Sequence, residues 1–324
     1  MKYSFVVMML ALLFAHSLHA GAKAGDCVAQ HYDAIVLPLC PTHINESTQV
    51  AGTTSHHRAG LWSQQEGLQE LPLPPDFYNS EGLGLNNAGH VIGVVYDRGF
   101  AKHQAFTFAN GNLTLLPGEQ FTPHWISDSD EIAGEAIVPQ KSTTGPMLWT
   151  KGSAAPLGGC CGGTATSVNN RGQVVGDIYD KEGQYHAFFW DESRGIQPIG
   201  PSDRYSSAIA INDDGHVLVQ AFSENYLYSE GKLRQLDLAP GYPSQPRGLN
   251  NCDVIVGSFG PFADASRAFL WESSQGFRDL NNLLAPGSGW KLKAATSIND
   301  KGEIVGWGDY KQLENTGFLL VPRR

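Results

Sequence analysis

The chain has 324 residues and a formal net charge of −10, from 22 Lys plus Arg against 32 Asp plus Glu. Its basic residues form no long run, so the electrostatic footprint of a nucleic-acid binder is missing. With 41% hydrophobic residues, 37 Gly and 18 Pro, it can bury a core while turning often, which excludes a disordered chain.

In chain order, Lys2 precedes an apolar run over residues 5–15 and an Ala20-Gly21-Ala22 site. Positive start, apolar centre and small-residue site make residues 1–22 a secretory signal peptide. The run is too short for a bilayer span, which takes about 20 residues, and no later segment reaches that length. Asp26 before Cys27 suits lipoprotein cleavage poorly. The mature protein is therefore expected to be secreted or periplasmic, with no membrane span. Residues 23–30 read as a tail and residues 31–324 as one domain.

Residues 32–38 (Tyr-Asp-Ala-Ile-Val-Leu-Pro) read as a strand standing ahead of any repeat. Seven copies of one unit follow, and internal repetition outranks other sequence signals. The fullest copy runs Ser167-Val168-Asn169-Asn170-Arg171-Gly172-Gln173-Val174-Val175-Gly176, continues through His186-Ala187-Phe188-Phe189-Trp190 and closes on Gly195-Ile196-Gln197-Pro198-Ile199. Counted from Asn45, Asn86, Ser127, Asn169, Asn212, Asn250 and Asn299, the copies lie 41, 41, 42, 43, 38 and 49 residues apart. Asn-x-x-Gly fits a type I turn joining two strands. The Gly eight residues after the first apolar position (Gly52, Gly93, Gly134, Gly176, Gly257, Gly306; Val219 in the fifth copy) marks a bulge or close backbone approach. Alternation at Phe106/Phe108, Met147/Trp149, Phe188/Trp190 and Phe269/Trp271 predicts a third strand. The fourth is more polar and carries Pro156 and Pro198, as an outer edge does. Four strands per unit and seven units predict an all-β, seven-bladed β-propeller of four-stranded antiparallel blades. The seventh copy lacks its fourth strand, and residues 32–38 supply a spare one, so an N-terminal strand is expected to close the last blade. An open solenoid would need capping repeats that are not visible.

The triplet His186-Ala187-Phe188, between Val174-Val175-Gly176 and Trp190, resembles the signature of the HAF-repeat family of probable extracellular proteins. Weaker versions stand at His103-Gln104-Ala105-Phe106 and Arg267-Ala268-Phe269. The resemblance covers nearly all of the mature chain and implies bacterial export and a propeller-like fold, with no established activity. Ser127 departs from the pattern, and so do Thr48, Asp130 and Asp253 in place of the turn Gly, which predicts a different shape for those three turns.

Propellers bind at the end where loops between blades meet loops joining second and third strands. Between-blade loops here carry Tyr78, Phe121, Tyr205, Tyr242 and Trp290, with Arg204 and Arg247 beside them. Aromatic faces among polar groups suit sugar rings or peptide side chains. Tyr205, Tyr242 and Trp290 enter consecutive blades and are expected to share one sector. The competing reading has these aromatics packing between blades. Five cysteines leave at least one unpaired. Cys27–Cys40 and the adjacent Cys160–Cys161 are the candidate disulfides, and Cys252 the candidate free thiol. Asp128 and Asp130 have calcium-loop spacing without the bidentate Glu, and His56-His57 has no further ligand at zinc spacing. No metal or cofactor is expected, and no nucleophile-elbow or zinc-protease motif is present. Asn45-Glu46-Ser47 and Asn112-Leu113-Thr114 are glycosylation sites only in a eukaryotic host. The sequence favours a monomeric, non-catalytic exported protein recognising extracellular carbohydrate or surface polymer. A propeller hydrolase or lyase acting on a polymer, and a protein-interaction scaffold, are the alternatives.

Overall fold

The computed structural model describes residues 27–100, 102–117, 121–138, 143–158, 162–261 and 265–323. The signal-peptide region and the Cys160-Cys161 pair lie outside the described residues. Among the described residues the strands form seven four-stranded antiparallel sheets, six of them in plain chain order. The innermost strands of blades 1 to 7 are Cys40–Ile44, Asn79–Leu85, Thr122–Ile126, Gly163–Val168, Ser207–Ile211, Ser244–Leu249 and Trp290–Ile298. This is an all-β seven-bladed propeller. Alternation along each strand gives every blade two apolar faces, so the core lies between blades. One cluster joins Ala51, Ala59 and Leu71 of blade 1 to Val91, Val95 and Phe106 of blade 2.

Closure follows the expected route. Tyr32–Leu37 pairs antiparallel with Leu313–Pro322, from Tyr32 opposite Pro322 to Leu37 opposite Gly317, as the outer strand of blade 7. An Asp33–Arg323 ion pair reinforces the seam. The cysteine expectation is corrected. Cys27 bonds Cys252 across 225 residues, with Cα atoms 6.4 Å apart, and Cys40 is free and exposed. Tyr32–Leu37 runs from one end of the ring to the other, so it leaves Cys27 at the opposite end from Cys40. Cys252 sits in the first turn of blade 6, beside Cys27.

All seven inner strands carry a bulge three residues before the repeat Asn or Ser, at Thr42, Leu83, His124, Thr166, Ile209, Arg247 and Thr296. The second-strand Gly pairs just before this bulge, as Gly93 does with Gly82. A Cβ on Gly93 would collide with the Glu81 carbonyl and stand 2.6 Å from the ring of buried Phe106. The aromatic of the third strand thus occupies the volume that Gly leaves open.

The Asn turns project from one end and do more than turn. Asn45, Asn86, Asn169, Asn212, Asn250 and Asn299 are buried, and each side-chain amide donates to the main-chain carbonyl of the equivalent residue in the next blade at 2.9–3.1 Å. Ser127 cannot, so the link from blade 3 to blade 4 is missing from this circle. A second circle is complete. The main-chain N–H of the following residue donates to the side-chain oxygen of its counterpart one blade on, through Glu46, Asn87, Asp128, Asn170, Asp213, Asn251 and Asp300. Acids and amides alternate, so amides separate the carboxylates. Seven is odd, and the alternation fails once, where Glu46 meets Asp300. Burial, then the Asp300 charge, pushes the Glu46 carboxyl up. Asp128 is therefore a ring member, and no group of three metal-capable side chains occurs among the described residues.

Thr48, Asp130 and Asp253 do not change the turn, contrary to expectation. Each holds the left-handed φ (60°, 61° and 57°) and makes the usual bond to the turn's first carbonyl. Their side chains compensate. Asp130 and Asp253 accept from the preceding blade's Asn86 and Asn212 at 2.9 Å, and Thr48 donates to Glu303 at 2.7 Å.

Candidate functional site

The opposite end gathers the between-blade loops and the second-to-third-strand loops. Among the described residues, nine of the ten exposed large apolar side chains lie at this end, Val36 being the exception. Exposed apolar area concentrated on one face marks a binding surface. Four of the nine form a continuous strip over blades 4 and 5. Tyr179 ends a second strand, Tyr185 opens the third strand opposite it, Tyr205 lies in the loop into blade 5, and Phe222 tips the next turn. Ring centroids are 4.6, 6.0 and 6.4 Å apart along that order, and exposures are 37%, 43%, 44% and 76%. Hydrogen bonding to Tyr185 pushes the Tyr179 hydroxyl pKa up.

Phe222 sits at φ 58°, a region that bulky L-residues avoid. Phe100 repeats this in blade 2, at φ 54° and 64% exposed, against Tyr96 at 5.6 Å. A turn needing positive φ favours Gly. Exposed aromatics held there at a cost point to function.

A groove of about 670 Å³ adjoins the strip, lined by Ile178, Tyr179, Asp180, His186, Pro198 and Pro201 among others. His186 Nε2 lies 2.9 Å from Asp180 Oδ2. That histidine opens the His-Ala-Phe triplet, whose Phe188 is buried in the core.

The sequence-predicted residues separate into two groups. Tyr205, Tyr242 (53% exposed) and Tyr78 (59% exposed, with Arg98 5.6 Å over its ring) are presented to solvent. Arg204 binds Asp203 and Glu224 at 3.0 and 2.7 Å, and Glu224 also accepts from Tyr226 at 2.6 Å, so it braces the loop beneath Tyr205. Arg247 is exposed and lines a second groove. Phe121 is buried (3%) against Trp149, and half-buried Trp290 packs against Tyr310 at 4.8 Å and meets Phe318 edge-on at 5.9 Å. These two serve packing. Tyr205, Tyr242 and Trp290 do enter consecutive blades at one end, but Tyr205 makes its ring contacts with blade 4 and Phe222 rather than with Tyr242.

Sequence reading missed a polar track between blades 3 and 5. His124 stands at a bulge with Nε2 buried, without a hydrogen-bond partner and 3.9 Å from Glu135 Oε1. Glu135 accepts from Thr164 Oγ1, and Asp177 from Ser207 Oγ, both at 2.7 Å. His124, then Thr164, holds the Glu135 carboxyl low, whereas burial, then the Glu135 charge, pushes Asp177 up. Environments that separate two carboxylates in this way suit one to donate and the other to accept a proton. Nearer the turn end, His43 meets Trp125 edge-on at 4.3 Å and shares a hydrogen bond with the Leu83 carbonyl. Burial lowers its pKa to about 4.

No family model and no curated protein sequence matches the chain. Among solved structures it is similar to virginiamycin B lyase from Staphylococcus aureus, at 12% identity and TM-score 0.58 over 90% of this chain and 99% of that one. It is also similar to the β-propeller domain of the Trilobed protease from Pyrococcus furiosus, at 8% and 0.58 over 90% and 94%. A puromycin-hydrolyzing peptidase from Mycobacterium tuberculosis matches at 11% and 0.59, over 93% of this chain and 54% of that one. At such identities the likeness is one of fold, and the fold hosts unrelated functions.

Proposed function

We propose that the protein is an exported, non-catalytic recognition protein that holds an extended extracellular ligand, carbohydrate or surface polymer, on its loop end. The observation carrying this reading is the strip Tyr179–Tyr185–Tyr205–Phe222, exposed along its whole length. Aromatic faces bury the apolar faces of sugar rings while phenol hydroxyls reach their polar edges. The Cys27–Cys252 disulfide favours an oxidising compartment, and the HAF-repeat resemblance fits an exported chain. No helix among the described residues is long and apolar enough to cross a membrane. A glycan array comparing the protein with Tyr205→Ala/Phe222→Ala tests this. Retained glycan signals that vanish in the double variant support the reading, and an empty array removes it.

A second reading, a hydrolase or lyase, is favoured by the His124–Glu135–Asp177 track alone. Release of products from polysaccharide, abolished by Glu135→Gln, would establish it in place of the first.

A further inference from the structure

We propose that the groove between blades 6 and 7 is a subsite for a sugar unit carrying a carboxylate, with Arg247 as its anion partner and Trp307 as its stacking wall. The proposal deepens the recognition reading above and rests on it. The groove measures about 340 Å³ and takes Gln245 and Arg247 from the inner strand of blade 6, Ser258 and Phe259 from its second strand, and Trp307 from the second strand of blade 7. That volume falls within the range of small-ligand sites.

Arg247 occupies the bulge position of blade 6. The threonines at three other bulges are committed to main-chain carbonyls of their own and the next blade. Arg247 has no such commitment. Among the described residues its one hydrogen bond is a 3.4 Å contact with Gln245 Oε1, and no carboxylate stands within ion-pair distance. A guanidinium offers five donors in a planar fork matched to a carboxylate, so most of its capacity is unused. In a chain with net charge −10, an arginine left without an acid partner is suited to an acid brought by a ligand.

The surroundings agree. Lys293 lies 5.9 Å over the Trp307 ring and 2.7 Å from Asp309, so the Asp309 carboxylate already has a cationic partner. Ser266, also in the groove, donates to the Lys293 carbonyl at 3.1 Å and fixes that strand. The carboxylates Glu135 and Asp177 belong to blades 3 and 4, outside this groove. An indole face beside a guanidinium fork matches a sugar ring with a carboxylate at its edge, whereas an acidic peptide brings the charge without the ring.

The test is calorimetric titration of the full exported chain with oligogalacturonate and with its methyl ester, which keeps every ring and removes the charge. The acid is expected to bind roughly tenfold to a hundredfold more tightly, as charge-assisted hydrogen bonds allow. Arg247→Gln should remove that preference. Arg247 is exposed and holds a single long hydrogen bond, so this variant keeps the fold. Tyr205→Ala/Phe222→Ala should weaken acid and ester alike. Equal binding of acid and ester, a preference that survives Arg247→Gln, or polyglutamate binding as tightly as oligogalacturonate overturns the proposal. If the acid preference is absent but the double strip variant still loses binding, the recognition reading stands and this subsite falls.

Discussion

Phe222 gives the sharpest handle on whether the loop end is built for binding at the expense of stability. It holds φ 58°, and a left-handed L-residue costs about 1–2 kcal/mol. It is 76% exposed, so only about a quarter of its side chain is covered, worth roughly 0.5 kcal/mol of a full burial of about 2–3. Phe222→Gly relieves the strain, loses that small burial and adds about 0.5–1 kcal/mol of chain entropy to the unfolded state. The sum lies between about −0.5 and +1 kcal/mol, so the glycine variant should be about as stable as the parent or slightly more so. Phe222→Ala keeps the strain and loses the contact, so it should be less stable than Phe222→Gly by about 1 kcal/mol, reversing the usual order. Urea unfolding of the three proteins measures this. An alanine variant as stable as the glycine variant would refute the claim that a strained aromatic is held there.

Ser127→Asn should stabilise the protein by about 0.5–1.5 kcal/mol, because it supplies the link from blade 3 to the Asn169 carbonyl missing from the first circle; an unchanged or lowered unfolding midpoint contradicts the ring account. His43 has a folded pKa of about 4 against the ordinary 6.5, so below pH 6.5 the unfolded state binds a proton that the folded state refuses. Stability from this group is complete above 6.5 and falls as pH drops towards 4; His43→Asn should flatten that part of the pH profile, and an unaltered profile would remove the buried neutral imidazole. Alkylation of the unreduced protein followed by mass spectrometry should label Cys40 and recover Cys27 and Cys252 as one linked peptide pair; labelling of Cys252 without reduction contradicts the disulfide.

The fold was legible because its signals are local and repeated. An Asn turn, a strand glycine and an alternating aromatic strand recur seven times, and the strand missing at one end matches the spare at the other. What escaped depends on which blades become neighbours. The Asn side chains read as turn formers, yet their amides also tie each blade to the next, a role visible only once residues about 41 apart are adjacent. Cys27 and Cys40 are close in sequence, but an end-to-end strand parts them and brings Cys27 to Cys252.

The candidate site was half legible for the same reason. Tyr205, Tyr242 and Tyr78 announced themselves as aromatics in variable loops. Phe121 and Trp290 looked alike in sequence, but they fall where a loop dips between blades and are consumed by packing. Tyr185 opens a strand and Phe222 tips a two-residue turn, so neither stood in a loop that drew attention. No sequence pattern reports that Phe222 would take a conformation proper to glycine.

The most direct test of the proposed recognition site is affinity for one soluble oligosaccharide selected from the glycan array, measured by calorimetry on matched variants of the two ends of the ring. Tyr205→Ala or Phe222→Ala should each weaken binding by about 1–3 kcal/mol, as loss of an aromatic anchor does. Arg171→Ala, in an exposed turn at the other end, should leave it unchanged. Binding that survives the strip substitutions and is lost with Arg171→Ala would place the ligand at the turn end and contradict the account.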